Sequence, residues 1–258
     1  MPNEKNSVYE QVIQQFTFEG DERDIVQLQE LASMIASVPS GQGVLQDALN
    51  RKTPLTISFC DGFKDKGTKG MFLWREQAIK LVRLDTELPR KMEKKLIEVK
   101  IKMSNIMAHE LQHYVDRPFN KWLDKNAYTL NEGILSIVLC EMSAFKTGDS
   151  VETELRTLRG MPIRWMPKTP DDWNMVMLRV LSGDNKKMKW YIDRRRQMAQ
   201  KMSISFEQKL PSKEFYQGVT DYLNKMNIPM NFTEAMLCVS QSQKLLPPLT
   251  PYKPSKDR

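Results

Sequence analysis

The chain has 258 residues, 40% of them hydrophobic and 28% charged, with a net charge of +7, which is enough for one large domain or a core domain with a smaller appendage. No apolar run approaches the roughly 18 residues of a membrane-spanning helix. The opening Met1-Pro2-Asn3-Glu4-Lys5-Asn6 has neither an apolar segment nor a small-residue cleavage site, so the expected compartment is the cytoplasm, with signal-independent secretion left open.

In chain order, residues 1–50 read as an N-terminal helical layer. Helices are expected over 8–16, over 24–37 with Ile25, Leu28, Leu31 and Ile35 in a three/four rhythm, and over 44–49 after Gly41-Gln42-Gly43. At Leu55 the period changes to two. Residues 55–60 alternate apolar with small polar side chains, 61–70 form a Gly- and Lys-rich loop, and 71–74 and 78–82 are two strands joined by Arg75-Glu76-Gln77. A small, mostly antiparallel sheet is therefore expected just before a long helix over 89–116. Pro89 suits its first turn, and Arg117-Pro118 is expected to end it. Its apolar positions Met92, Leu96, Val99, Met103 and Ile106 step by four and three, and the same stepping reaches Glu110 and His113.

The chain's two histidines are both on this helix, in His109-Glu110-Leu111-Gln112-His113. On a helix, positions i and i+4 share a face, so both imidazoles can reach one tetrahedral ion at about 2.0–2.1 Å. Glu110 follows the first of them, where its carboxylate can take a proton from a metal-bound water. The plain alternative is a histidine pair that never meets metal. Against it stands the stripe, which these residues extend. With no third histidine, a third protein ligand has to be a carboxylate or a thiolate. Glu141 is the first candidate. It lies in the helical run 134–145, where Ile134, Ile137 and Val138 share its face, and a carboxylate there costs several kcal/mol unless a cation or donor compensates it. The alternatives are that it turns to solvent or pairs with a Lys or Arg. Asp116 is the second candidate, as ligand or as acceptor of an imidazole N–H. Glu132 and Cys140 rank below.

This order of strand, hairpin, His109-Glu110-Leu111-Gln112-His113 helix and second helix with Glu141-Met142-Ser143-Ala144 resembles the zincin metallopeptidases of the glutamate-ligand branch, the gluzincins, over about residues 42–150. It is most similar to compact, uncharacterised bacterial metallopeptidases with an HExxH motif followed by ExxA. The resemblance implies an α+β, zincin-like fold with its catalytic core over 51–160. It also implies one Zn2+ held by His109, His113 and Glu141, Glu110 as general base and acid, and a protein or peptide substrate cut by a metal-activated water. The chain departs from thermolysin-like members in having no further histidine for the oxyanion. Tyr114, Tyr128, Arg156 and Tyr191 are nominated instead.

Residues 161–246 read as a C-terminal helical region. Thr169-Pro170-Asp171-Asp172 opens a helix to Leu181, two more cover 212–225 and 233–244, and 247–258 form a loose tail. Lys186, Lys187, Lys189, Arg194, Arg195, Arg196 and Lys201 make a basic block. It is read first as a solvated helix face, and second as a surface for an acidic partner, nucleic acid or membrane. The 17 Met fall at helical intervals as core filler. Cys60, Cys140 and Cys238 are far apart, without a CxxC pair, as suits buried thiols. Two rival functions remain: a catalytically silent zincin-like scaffold for interaction or regulation, and a basic nucleic-acid-associated protein. Oligomeric state is not read from the sequence.

Overall fold

A computed structural model describes residues 4–63, 67–83, 93–127, 129–163, 165–181, 192–197 and 211–245. Pro89, Met92, Tyr128, Tyr191, Lys186, Lys187, Lys189, Lys201 and the tail 247–258 lie outside these. The fold is mixed α and β. It forms two compact units, Met1–Arg117 with Ser143–Met166, and Pro118–Met142 with Pro167–Arg258. Among the described residues no helix is long and apolar enough to cross a membrane.

The first unit opens with α1 (Glu4–Gln15), β1 (Phe16–Glu19), α2 (Glu22–Ala36) and α3 (Pro39–Asn50). Asp21 caps α2 by accepting the Asp24 amide at 2.8 Å, and Leu28, Leu31, Ala32 and Ile35 bury its inner stripe. β1 was not expected, because Phe16-Thr17-Phe18-Glu19 is too short to separate from the preceding helix by pattern. Four residues become a strand only because β2 (Leu55–Cys60) offers an edge to pair with. α3 likewise begins five residues earlier than expected, and takes Gly41 and Gly43 into the helix. At Gly41 this is a demand of packing: an added Cβ would lie 1.9 Å from the Ile35 carbonyl oxygen, so only glycine lets the two helices approach so closely.

β3 (Gly70–Leu73) and β4 (Ala78–Val82) complete a four-stranded sheet of order β1-β2-β4-β3. Only β3 and β4 pair antiparallel. β1–β2 and β2–β4 are both parallel, with Ile57 opposite Ile79. The expected, mostly antiparallel sheet is thus corrected to a mixed one in which parallel pairs predominate. The cause is burial: β2 and β4 carry Leu55, Ile57, Ile79 and Leu81, all at most 1% exposed, and take the centre, while the less buried β3 is left at the edge.

The long helix α4 (Glu93–Asn126) does not stop at Arg117 but carries Pro118 in its interior. Proline at 118 cannot donate to the carbonyl four residues back, that of Tyr114. Arg51 replaces the missing donor: its guanidinium hydrogen-bonds the Tyr114 carbonyl and lies 4.3 Å over the Tyr114 ring. Arg51→Met is therefore expected to cost about 1–3 kcal/mol through the orphaned carbonyl. In a Pro118→Ala background, which restores the backbone N–H, the same change should cost clearly less. Urea midpoints of the four variants give the coupling, and equal costs in both backgrounds would refute it.

α4's core face also differs from expectation. Ile101, Ser104, Met107, Ala108, Leu111 and Tyr114 are fully buried, whereas Leu96, Val99 and Ile106 are half-buried. The stripe read from the sequence, in which Met103 and Glu110 are buried and Val99 and Ile106 pack against the core, is therefore one edge of a wider core face. α5 (Leu130–Leu158) starts at a Thr129/Glu132 capping box and is much longer than the expected run.

In the second unit, α6 (Pro170–Leu181), α7 (residues 192–197), α8 (Lys213–Lys225) and α9 (Phe232–Leu245) follow. The three longer ones match the expected helices to within a residue. Each opens on a side-chain cap: Thr169 with Asp172, Ser212, and Asn231 with Glu234. Backbone N–H groups of Lys168 and Thr169 hold the exposed Asp172 carboxyl below its ordinary range. The end of α4 packs here, with Phe119 stacked on Tyr222 at 4.1 Å. Of the basic block, Arg194, Arg195 and Arg196 are described, and Arg196 meets Asp193 at 3.8 Å.

Candidate metal centre

Two facing surfaces of α4 prepare the site. Asn105, His109, Gln112 and Asp116 step by four, three and four, and so form one polar line. That line meets α5 antiparallel. Asp116 accepts from the Ser143 hydroxyl at 2.5 Å, Gln112 from the Thr147 hydroxyl at 2.8 Å, and Asn105 donates to Asp149 and Glu152 at 3.1 and 2.8 Å. Phe145 sets its ring edge-on to His109 at 4.8 Å, and Gly148 lets α5 close on Asn105, where a Cβ would come within 2.7 Å of the side-chain oxygen. Each step toward the start of α5 is matched by a step toward the end of α4. Glu141 stands two residues before Ser143 on the same helix, and it is the length of its side chain, not the level of its backbone, that joins it to the histidines.

The ligand-capable atoms of His109, His113 and Glu141 lie within 4.8 Å of one another. The two imidazole Nε2 atoms are 3.1 Å apart. Two ligands at about 2.0–2.1 Å from a tetrahedral ion are about 3.3 Å apart, so the pair is close to ligating separation without rearrangement. Glu141 is 7% exposed, and both histidines are half-buried. Two neutral nitrogens and one carboxylate are a donor set suited to zinc, and they leave one tetrahedral position open.

Glu110 is 4% exposed and points to the sheet. Its Oε2 accepts the backbone N–H of Phe72 at 2.7 Å, on the unpaired side of edge strand β3. Its other oxygen has no hydrogen-bond partner among the described residues. Gly70 makes this contact possible, since a Cβ there would meet Ile106 at 2.5 Å and Glu110 Cγ at 3.0 Å. Phe72 also stacks edge-on to Tyr114 at 5.6 Å. Two residues of strand advance about 6.8 Å and four of helix about 6 Å, so β3 keeps pace with α4 from Gly70 past Phe72.

Of the other sequence candidates, Asp116 is tied to Ser143 and is not in the converging group. Glu132 serves the cap of α5, and Cys140 donates to Asn120 and to the Ser136 carbonyl. Tyr114 spends its hydroxyl on Thr53, and Arg156 pairs with Glu152 at 2.8 Å, so both nominations for the oxyanion are engaged in structural bonds. Missed by sequence reasoning were Phe72, whose part is played by its backbone, and the part of Asn105 and Gln112, which stand in line with Asp116, a residue the sequence did single out. The line's four-three-four polar spacing was there to be read.

No protein-family model, no curated protein and no solved structure matches this chain. Function therefore has to be argued from the site itself.

Proposed function

We propose that the chain is a zinc-dependent metallopeptidase of zincin type, with one ion held by His109, His113 and Glu141 and with Glu110 as general base and acid. The observation that carries this reading is the convergence of two imidazole nitrogens and a buried carboxylate within 4.8 Å, where the residue after His109 is a second carboxylate with one oxygen uncommitted among the described residues. When bound, zinc supplies Lewis acidity, polarising a carbonyl and making water easier to deprotonate.

The protein's own residues do the rest. The polar line between α4 and α5 sets the spacing of the histidines relative to Glu141, as supporting hydrogen bonds do in metal sites generally. The Phe72 amide fixes one Glu110 oxygen, so the other is oriented to accept a proton and return it to a leaving amine. Burial of Glu110 keeps bulk water from competing for that transfer.

Zinc bound by the purified chain tests the reading. After equilibration with zinc and desalting, about one ion per chain is expected by elemental analysis. His113→Ala should retain essentially none while keeping its helical circular dichroism. Cleavage of a denatured protein substrate should stop with 1,10-phenanthroline and return with added zinc. A chain that binds no zinc refutes the proposal. One that binds zinc tightly yet cuts no peptide or protein points to the silent scaffold.

A further inference from the structure

Beyond Phe72, edge strand β3 runs out into a cationic, aromatic tip. Trp74, the first residue after the strand, is 54% exposed. Two guanidiniums flank its ring, Arg75 at 4.9 Å and Arg117 at 5.2 Å, and Arg117 also donates to the Trp74 carbonyl. Arg117 is one turn beyond His113 on α4, at i+4, and so lies on the same face as the histidine. The strand-helix pairing that begins with Gly70 and continues with Phe72 at Glu110 therefore ends with Trp74 at Arg117.

Two further facts single this tip out. Among the described residues neither Arg75 nor Arg117 has a carboxylate partner, and the nearest acid in the turn, Glu76, faces Lys80 at 3.9 Å instead. Arg51 also stands close by, on Tyr114. Burial pulls its guanidinium below the ordinary range, and repulsion from Arg117 adds to this while Tyr114 opposes it. Like charges gathered without a counter-charge raise the free energy of the empty protein, and a bound anion would relieve it. Stacking on Trp74 holds both planar forks in place, which lowers the entropy lost when they grip a carboxylate.

We infer that Trp74, Arg75 and Arg117 form a subsite for an acidic side chain of the peptide substrate, so that the enzyme prefers Asp or Glu about two residues from the bond it cuts. The inference rests on the peptidase reading, because the subsite is placed relative to Glu110 and His113. The two-residue offset is the distance along β3 from Phe72, on Glu110, to Trp74. A polypeptide fits better than nucleic acid. The patch is one compact point at a strand tip, with Glu76 beside it, and not a row of cations at phosphate spacing.

The test uses the zinc-loaded full chain. Binding is read with Glu110→Gln and fluorescein-labelled decapeptides carrying an Asp pair or its Asn isostere, scanned through the sequence, by fluorescence anisotropy. Cleavage of the same peptides by the unsubstituted chain locates the bond. Up to about tenfold tighter binding of Asp peptides is expected, fading as salt is raised. With Arg75→Gln and Arg117→Gln together, the Asp to Asn ratio should fall to about one, and Arg75→Glu should turn the preference toward Lys. Selective, arginine-dependent binding without any cleavage would support the subsite while sinking the peptidase reading. Cleavage with no acidic preference would do the reverse. A labelled single-stranded oligonucleotide that binds more tightly than any Asp peptide, and is released by the same arginine changes, would overturn the inference.

Discussion

Replacing Glu110 by Gln is expected to lower peptide hydrolysis by about 10²–10⁴-fold, the usual weight of a positioned proton-transfer group, while zinc content and thermal unfolding stay near those of the parent. The amide is isosteric, and its oxygen can still accept the Phe72 N–H that Oε2 accepts at 2.7 Å. What it loses is an oxygen that can hold a proton. The effect should therefore fall on kcat more than on KM, since no substrate contact is removed. Hydrolysis that survives at parental rate with zinc in place would exclude Glu110 from the chemistry. A loss of zinc or of folding along with activity would show that the carboxylate serves the architecture of β3 and α4 instead.

Glu141→Ala is expected to weaken zinc binding by at least about a hundredfold, more than loss of a merely supporting group usually costs. By linkage, a hundredfold loss removes about 2.7 kcal/mol of the stabilisation that zinc confers, and differential scanning fluorimetry with and without zinc reads it directly. The alternative raised by the sequence, that Glu141 pairs with a cation, predicts another pattern. The variant would then be destabilised equally with and without zinc, and its zinc affinity would match the parent's. The two readings differ in which state of the protein feels the mutation, so one pair of melting curves decides between them.

The α4–α5 contact shows how polar side chains fix two helices against each other here. A polar line in a helix interface is costly unless every group is matched. Ser143 with Asp116, Thr147 with Gln112, and Asn105 with Asp149 and Glu152 supply the matches at the described positions. A helix pair held by side-chain hydrogen bonds has its axial register specified, whereas an apolar seam tolerates sliding. The proposed ligands, His109 and His113 on one helix and Glu141 on the other, would need that register.

The sequence by itself determined the elements whose signals are local. β2 and β4 stand at the residues the sequence predicted, and α6, α8 and α9 begin within a residue of their expected starts, at Thr, Ser and Asn caps. The histidine pair, Glu110 and the carboxylate at 141 were readable from spacing on a helix and from one acid among apolar neighbours. Tertiary structure alone decided what depends on a distant partner. Phe16–Glu19 became a strand because β2 was there to pair with, β4 entered between β2 and β3 because the most apolar strands take the centre, and α4 ran through Pro118 because Arg51, remote in sequence, satisfies the carbonyl that proline abandons. The bond from the Phe72 amide to Glu110 belongs to the same class. A backbone N–H is carried by nearly every residue, so no side-chain pattern could mark the one that the fold would bring to the carboxylate.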